Sequence, residues 1–150
     1  MSSTNLIDAR GPRFAATVTT VVLALALLTQ SAWLLLAQTV VFIIGAKFGP
    51  GKSPYGLVYR LLVKPRLSSP TEFEDARPPQ FAQLVGTFCA SIGLLGAAIG
   101  VPLVFLVAVG TALTAAFLNS VFRFCLGCEM YLLIKRVKQQ ASPTRSLATK

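Results

Sequence analysis

Charged residues are missing from two long stretches of this chain. No Lys, Arg, Asp or Glu occurs from Phe14 to Ala46, or again from Pro78 to Phe122. A helix needs roughly 20 apolar residues to cross a bilayer core of about 30 Å. The first stretch would extend about 50 Å as a helix, and the second is longer still, so each fits two crossings rather than one. The pattern therefore predicts four transmembrane helices arranged as two hairpins.

Turn signals divide each stretch near its middle. Thr29-Gln-Ser31 interrupts the first, and in the second Gly100 can end one helix while Pro102 starts the next. We expect a single all-α membrane domain over residues 1–150. Its helices are predicted at about 14–29, 31–46, 80–99 and 101–122, with a helical extension at about 123–138 and a tail at 139–150.

The basic residues predict the topology. All 14 fall in three blocks, which lie before the first uncharged stretch, between the two, and after the second. Four crossings place the three blocks on one side of the membrane, and the positive-inside rule makes that side cytoplasmic. The fold is therefore expected to be N-in/C-in, with two uncharged turns on the far side.

The central loop, residues 47–79, contains a short apolar segment from Tyr55 to Lys64. Arg60 and Lys64 are four residues apart and lie on one face of a helix. This favours a short interfacial helix whose cations reach into the headgroups. An ordered loop packed over the cytoplasmic helix ends is the alternative, and the two are compatible.

Composition agrees with a chain held mostly in lipid. The hydrophobic fraction is 54%, the mean hydropathy is +0.68 and the formal net charge is +9. Basic residues that flank membrane helices contact anionic headgroups, so the charge does not indicate nucleic acid. Glycine and alanine recur at four-residue spacing in the third and fourth helices, which predicts close packing of this pair or, equally, of a homo-oligomer.

Candidate chemistry is confined to one motif. The chain has no histidine, and its uncharged stretches hold no carboxylate, so the usual proton relay, serine hydrolase and zinc-protease arrangements are absent. Cys125 and Cys128 have the Cys-x-x-Cys spacing of thiol–disulfide oxidoreductases. Arg123 lies two residues earlier, where a cation would stabilise the reactive thiolate. No cofactor is predicted, and no enzyme class is indicated beyond this pair.

Three interpretations of the cysteine pair are open. The first is thiol redox or sulfur chemistry, and the second is inert packing, since cysteine is a common small apolar residue. The third is a metal site, which would be incomplete because zinc prefers four ligands. The remaining ligands would have to come from Cys89, Glu129 or a second copy of the chain, so no metal site is predicted.

Several of these features together resemble a known family. They are the opening Asp8-Ala-Arg-Gly-Pro-Arg-Phe14, the hairpin of short helices, the Gly49-Pro-Gly51 loop and the terminal Phe124-Cys-Leu-Gly-Cys-Glu129. Over roughly residues 8–137 the chain is similar to small bacterial, largely actinobacterial, membrane proteins known as domain of unknown function 4395. The resemblance implies a four-helix fold in the bacterial inner (plasma) membrane, without an established activity, and a tie to thioredoxin-like or sulfurtransferase partners.

The leading hypothesis is a membrane component of thiol redox or sulfur metabolism. In it, Cys125 and Cys128 alternate between dithiol and disulfide in exchange with a thioredoxin-like protein. A non-catalytic accessory subunit of a larger membrane complex is the alternative, motivated by the small-residue faces. A small transporter of metal or sulfur species, with the thiols as soft ligands, is the third.

Overall fold

The computed structural model describes residues 6–70 and 72–141, and these are mainly α-helical. The part of the predicted tail from 142 to 150 lies outside the described residues. The elements in chain order are β1 (Leu6–Asp8), α1 (Arg10–Thr29), α2 (Ala32–Phe48), α3 (Pro54–Val58), β2 (Phe73–Asp75), α4 (Arg77–Ala98), α5 (Pro102–Phe122) and α6 (Leu126–Gln140).

Three of the helices, α1, α4 and α5, are long and apolar enough to cross a membrane. Helix α2 is equally free of charge over most of its length but has 17 residues. At about 1.5 Å per residue it extends about 25 Å, a little less than a typical hydrocarbon core. The chain thus has the helical, apolar architecture expected of a membrane protein.

Both predicted hairpin turns are confirmed. Gln30 adopts the left-handed conformation with φ of 49°, and the Ser31 hydroxyl accepts a hydrogen bond from the Leu34 N–H at the start of α2. Gly100 has φ of 71°, which favours glycine, and Pro102 is the first residue of α5.

The first and third predicted helices begin earlier than expected, at Arg10 and Arg77. In each case the backbone N–H of that first residue donates a hydrogen bond to the aspartate two residues earlier. Arg10 donates to Asp8 Oδ1 at 3.0 Å, and Arg77 donates to Asp75 Oδ1 at 3.1 Å. The prolines that follow sit in the first turn, where a helix needs no N–H donor. The predicted starts, at about 14 and about 80, lie after these prolines.

The predicted extension at 123–138 is not continuous with α5. Arg123 takes a left-handed conformation, with φ of 57°, and ends α5. A separate helix, α6, begins at Leu126. The central loop contains a short helix, α3, where one was predicted. A π-helical turn over Tyr59–Val63 and a 3-10 turn over Lys64–Arg66 prolong it. Its placement at a membrane interface stays a prediction.

Strands β1 and β2 form an antiparallel ribbon in which Leu6 lies opposite Asp75 and Asp8 opposite Phe73. This pairing draws attention to an internal repeat. Asp8-Ala-Arg-Gly-Pro-Arg-Phe-Ala15 matches Asp75-Ala-Arg-Pro-Pro-Gln-Phe-Ala82 at all but two positions. Each half of the chain therefore consists of a strand, an aspartate cap, a helical hairpin and a further helix.

Packing follows the repeat. Helix α2 of the first half lies on α4, and α5 of the second half lies on α1, as an approximate two-fold axis requires. Phe14 contacts Tyr59 with ring centroids 5.8 Å apart, and its counterpart Phe81 contacts Tyr131 at 5.9 Å. The core at the centre of the bundle comprises Leu23, Leu35, Phe42, Ala90, Phe105, Val109 and Ala112.

Small residues bring α4 and α5 close together, as predicted. A Cβ atom on Gly96 would lie 2.8 Å from the Phe105 backbone nitrogen and the Val104 side chain. A Cβ on Gly93 would meet Leu35 of α2 at 2.9 Å and Val109 of α5 at 3.1 Å. Because lipid supplies no hydrophobic force between helices, such close approach is a main source of packing energy.

Candidate functional site

The cysteine pair lies at the start of α6. Cys125 is the N-cap residue, and Cys128 is in the first helical turn. The two form a disulfide bond with their Cα atoms 5.1 Å apart. The Cys128 N–H also donates a hydrogen bond to Cys125 Sγ at 3.3 Å. Both side chains are partly exposed.

A helix N-terminus is a suitable place for a reactive thiol. The free N–H groups and the helix dipole there favour negative charge. Cysteines at helix N-termini and in Cys-x-x-Cys motifs accordingly form thiolates more readily than ordinary cysteines. The Cys125 Sγ accepts the Cys128 N–H, so we expect Cys125 to be the sulfur that receives this stabilisation when the pair is reduced.

The position of α6 depends on close contact with α4. Gly127 is buried against Ala82, and a Cβ atom on Gly127 would lie 2.6 Å from the Ala82 Cα and Cβ atoms. The Phe81–Tyr131 ring contact lies one turn further along α6. These contacts hold the cysteine pair against the first turns of α4.

A cavity of about 360 Å³ runs from the cysteine pair into the helical bundle. Most of its walls come from α1, α4, α5 and α6, with Phe42 of α2 and Glu74 of β2. Small side chains such as Ala112 and Ala116 leave its interior open. The volume lies within the range of small-molecule sites. The free Cys89 also lines this cavity, about 10 Å along α4 from Ala82 at the helical rise.

Charged groups line the end of the cavity nearest the ribbon. Arg13, Glu74, Arg123 and Glu129 all contribute to its walls. Burial raises the pKa of the Glu74 carboxyl, and the nearby charge of Arg13 opposes this shift. Arg123 shares the cavity with both cysteines, and its stabilisation of the Cys125 thiolate stays a prediction.

Sequence reasoning missed Gln83, which lines the same cavity. Its Oε1 atom is buried and has no hydrogen-bond partner within residues 6–70 and 72–141. An unpartnered buried oxygen is costly. This oxygen is packed against α2, where a Cβ atom on Gly45 would lie 3.0 Å from it. The available signal was that Gln83 is one of a few amide side chains in an otherwise apolar stretch.

Comparison with known proteins gives one result. The sequence profile described as "Domain of unknown function (DUF4395)" matches residues 7–136. The chain therefore belongs to this family, as its resemblance indicated. No curated protein and no solved structure matches it significantly.

Proposed function

We propose that this member of the DUF4395 family is a multi-pass protein of the bacterial plasma membrane that carries a cytoplasmic thiol–disulfide pair, Cys125 and Cys128. The pair exchanges electrons with a soluble thioredoxin-like protein. The proposal rests on the internal repeat, because the repeat separates what the fold needs at this position from what the cysteines add.

The equivalent of the cysteine pair in the first half is Ser53 and Gly56. Ser53 is the N-cap of α3, and its hydroxyl accepts the Gly56 N–H at 3.1 Å, as Cys125 Sγ accepts the Cys128 N–H. Each cap lies six residues before the tyrosine that packs on the repeated phenylalanine. Serine is a preferred N-cap residue and cysteine is not. The fold is thus satisfied by Ser-x-x-Gly, and the paired sulfurs of the second half have a reason other than capping.

The exchange reaction is balanced within the two proteins. A thiolate of the reduced partner attacks one sulfur of the Cys125–Cys128 disulfide, forming a mixed disulfide and releasing the other sulfur as a thiolate. The partner's second thiolate then attacks the mixed disulfide. The partner ends as a disulfide and the pair as a dithiol, with two electrons and two protons transferred.

The proposed topology has four crossings with both termini in the cytoplasm. Helix α2 returns to the ribbon end of the bundle, where the Gln80 Nε2 donates to the Ala46 carbonyl at 2.7 Å. That end carries the ribbon, α3 and α6, together with the charged residues that flank the helices. The turns at Gln30 and Gly100 are uncharged, and the positive-inside rule assigns them to the outside.

The test is to trap the mixed disulfide. A Cys128→Ser variant leaves Cys125 without its resolving partner. The probe is a thioredoxin whose own resolving cysteine is replaced by serine and whose remaining cysteine is activated as a mixed disulfide with thionitrobenzoate. The Cys125 thiolate should attack this disulfide, bind the thioredoxin covalently and release thionitrobenzoate. Cys125→Ser should lose this adduct, and Cys89→Ser, made in the Cys128→Ser background, should keep it. Equal trapping by the Cys125→Ser,Cys128→Ser double variant would refute the proposal.

An accessory subunit of a larger complex is the second candidate. It is favoured by an exposed apolar stripe along α6, formed by Met130, Leu133, Ile134 and Val137. Under this alternative, a fixed partner co-purifies with the protein in equal yield after both cysteines are replaced.

A further inference from the structure

The thiol pair and the cavity behind it suit a second redox partner, one that dissolves in the membrane. We propose that the cavity binds the head group of a lipid-soluble quinone, and that quinone and quinol exchange two electrons with Cys125 and Cys128. This inference rests on the proposed thiol chemistry and adds the class of substrate.

The location of the cavity determines what can reach it. It extends from the cysteine pair along α4 to Cys89, and along α5 through Asn119 and Ala116 to Thr111. Both helices are apolar enough to span a membrane. A ligand that occupies the inner part must be compatible with a largely apolar lining, whereas a soluble protein could reach only the outer end.

The polar groups of the cavity match a quinone. Gln83 of α4 and Asn119 of α5 each bring an amide side chain to the lining. The Asn119 amide oxygen can accept a hydrogen bond from a quinol hydroxyl, and an amide NH₂ group can donate one to a quinone carbonyl. Pockets of this kind are typically apolar with a few placed polar groups, and a volume of about 360 Å³ accommodates a substituted quinone ring.

The chemistry is a balanced two-electron exchange. Starting from the dithiol, the two S–H bonds of Cys125 and Cys128 break and one S–S bond forms. The quinone gains two electrons and two protons, and its two carbonyl oxygens become hydroxyls. In the reverse direction, quinol reduces the disulfide. Together with thioredoxin exchange, this would connect the cytoplasmic thiol pool with the membrane quinone pool.

The experiment uses the whole protein in lipid nanodiscs. The protein is first reduced, the reductant is then removed, and the sample is kept free of oxygen. Decylubiquinone is the probe because its ring is fully substituted, so a thiol does not add to an open ring position. We expect one quinone to be reduced for each Cys125–Cys128 pair oxidised. Quinol absorbance measures the quinone reduced, and mass spectrometry measures the oxidation of the two cysteines. In Cys125→Ser the rate should fall to that of empty nanodiscs.

Two variants test the cavity itself. Gln83→Leu removes the amide and Ala116→Leu fills the space, so each should raise the quinone concentration needed for half-maximal rate by about tenfold. Ala97→Leu places the same side chain on the exposed surface of α4, outside the cavity, and should leave the rate unchanged. Thermal unfolding midpoints show whether each variant is folded.

Three outcomes would overturn the inference. They are a reduced pair that decylubiquinone fails to oxidise, an oxidation rate that neither cavity variant alters, and oxidation of the pair without a matching yield of quinol. Thioredoxin exchange by the unmodified protein separates the two proposals. If exchange persists without quinone reduction, only the quinone inference fails, and if the pair never cycles, both fail.

Discussion

Tyr59 fixes the point at which α1 begins. Its hydroxyl donates a hydrogen bond to Asp8 Oδ2 at 2.9 Å, while Asp8 Oδ1 accepts the Arg10 N–H at 3.0 Å. The ring packs on Phe14 and is only 5% exposed. One side chain therefore links the central loop, the ribbon and the start of α1.

Removing this hydroxyl should destabilise the protein. We expect Tyr59→Phe to lower the free energy of unfolding by about 1.5–3 kcal/mol, because the hydrogen bond has a carboxylate acceptor and is shielded from water. The thermal unfolding midpoint in detergent measures the change. Tyr131→Phe is the matched control from the second half. Tyr131 packs on Phe81, but its hydroxyl has no hydrogen bond within the described residues, so the expected change is below about 0.5 kcal/mol.

The stability difference between the unmodified protein and Tyr59→Phe should also depend on pH. Burial, then the hydrogen bond and charge of Asp8, raise the pKa of Tyr59 from 10.0 to about 12, against a smaller opposing effect of Arg10. A raised folded-state pKa means that the contribution is complete below pH 10 and is lost as the pH rises through 12. The advantage of the unmodified protein over Tyr59→Phe should shrink across this interval. A constant difference from pH 8 to pH 12 would contradict the assigned network.

At the scale of elements, the sequence predicts the helices and turns that depend on local signals. The absence of charge from 14 to 46 and from 78 to 122 determines the two hairpins, and Gln30 and Gly100 lie where the turns were expected. These features depend on composition and on residues adjacent in the chain. The interruption at Arg123 was missed because its left-handed conformation has no clear signal in an arginine side chain.

The ribbon and the cavity escaped prediction because both depend on distant parts of the chain. Leu6 pairs with Asp75, although nearly the whole first half of the chain lies between them in the sequence. The strands are only three residues long, so they show little periodicity to recognise. The cavity exists because several helices meet around small side chains, which no single helix reveals. The repeat of Asp8-Ala-Arg in Asp75-Ala-Arg77 was visible in the sequence and would have predicted the equivalence of the two halves.

The packing contact between α6 and α4 can be tested by substitution. Gly127→Val should place new methyl groups against Ala82, push α6 away and lower the free energy of unfolding by about 1–3 kcal/mol. Maleimide labelling of the reduced Cys125 and Cys128 should become faster, because the pair would leave the wall of the cavity. Thermal unfolding and labelling rates measure the two effects.

Gly110 supplies the control for this substitution. It lies within α5, and a Cβ atom built on it meets nothing within 4 Å. Gly110→Ala should therefore be neutral or stabilise the protein by up to about 1 kcal/mol through helix propensity. Unchanged labelling and stability in Gly127→Val would show that α6 is not held by this contact.

At the scale of the whole molecule, two similar halves support one asymmetric site. The repeat provides both strands, both hairpins and both tyrosine–phenylalanine contacts. Only the second half has cysteines at the helix cap, and at the position of Gln83 the first half has Ala16. The proposed chemistry thus uses the side chains that differ between the two halves, namely the two cysteines and Gln83.

The repeat also constrains how the molecule lies in the membrane, because each half leaves the ribbon and returns to it. In a background with all three native cysteines replaced by serine, Gln30→Cys and Ile99→Cys should react with an impermeant maleimide in intact cells. Cys125, kept as the single native cysteine, should react only in inverted vesicles. The informative position is Gln30, because α2 extends only about 25 Å and must reach the outer face for the halves to be equivalent. Labelling of Ile99→Cys but not of Gln30→Cys in intact cells would show that the first hairpin stops within the bilayer, and that the two-fold arrangement does not extend to the topology.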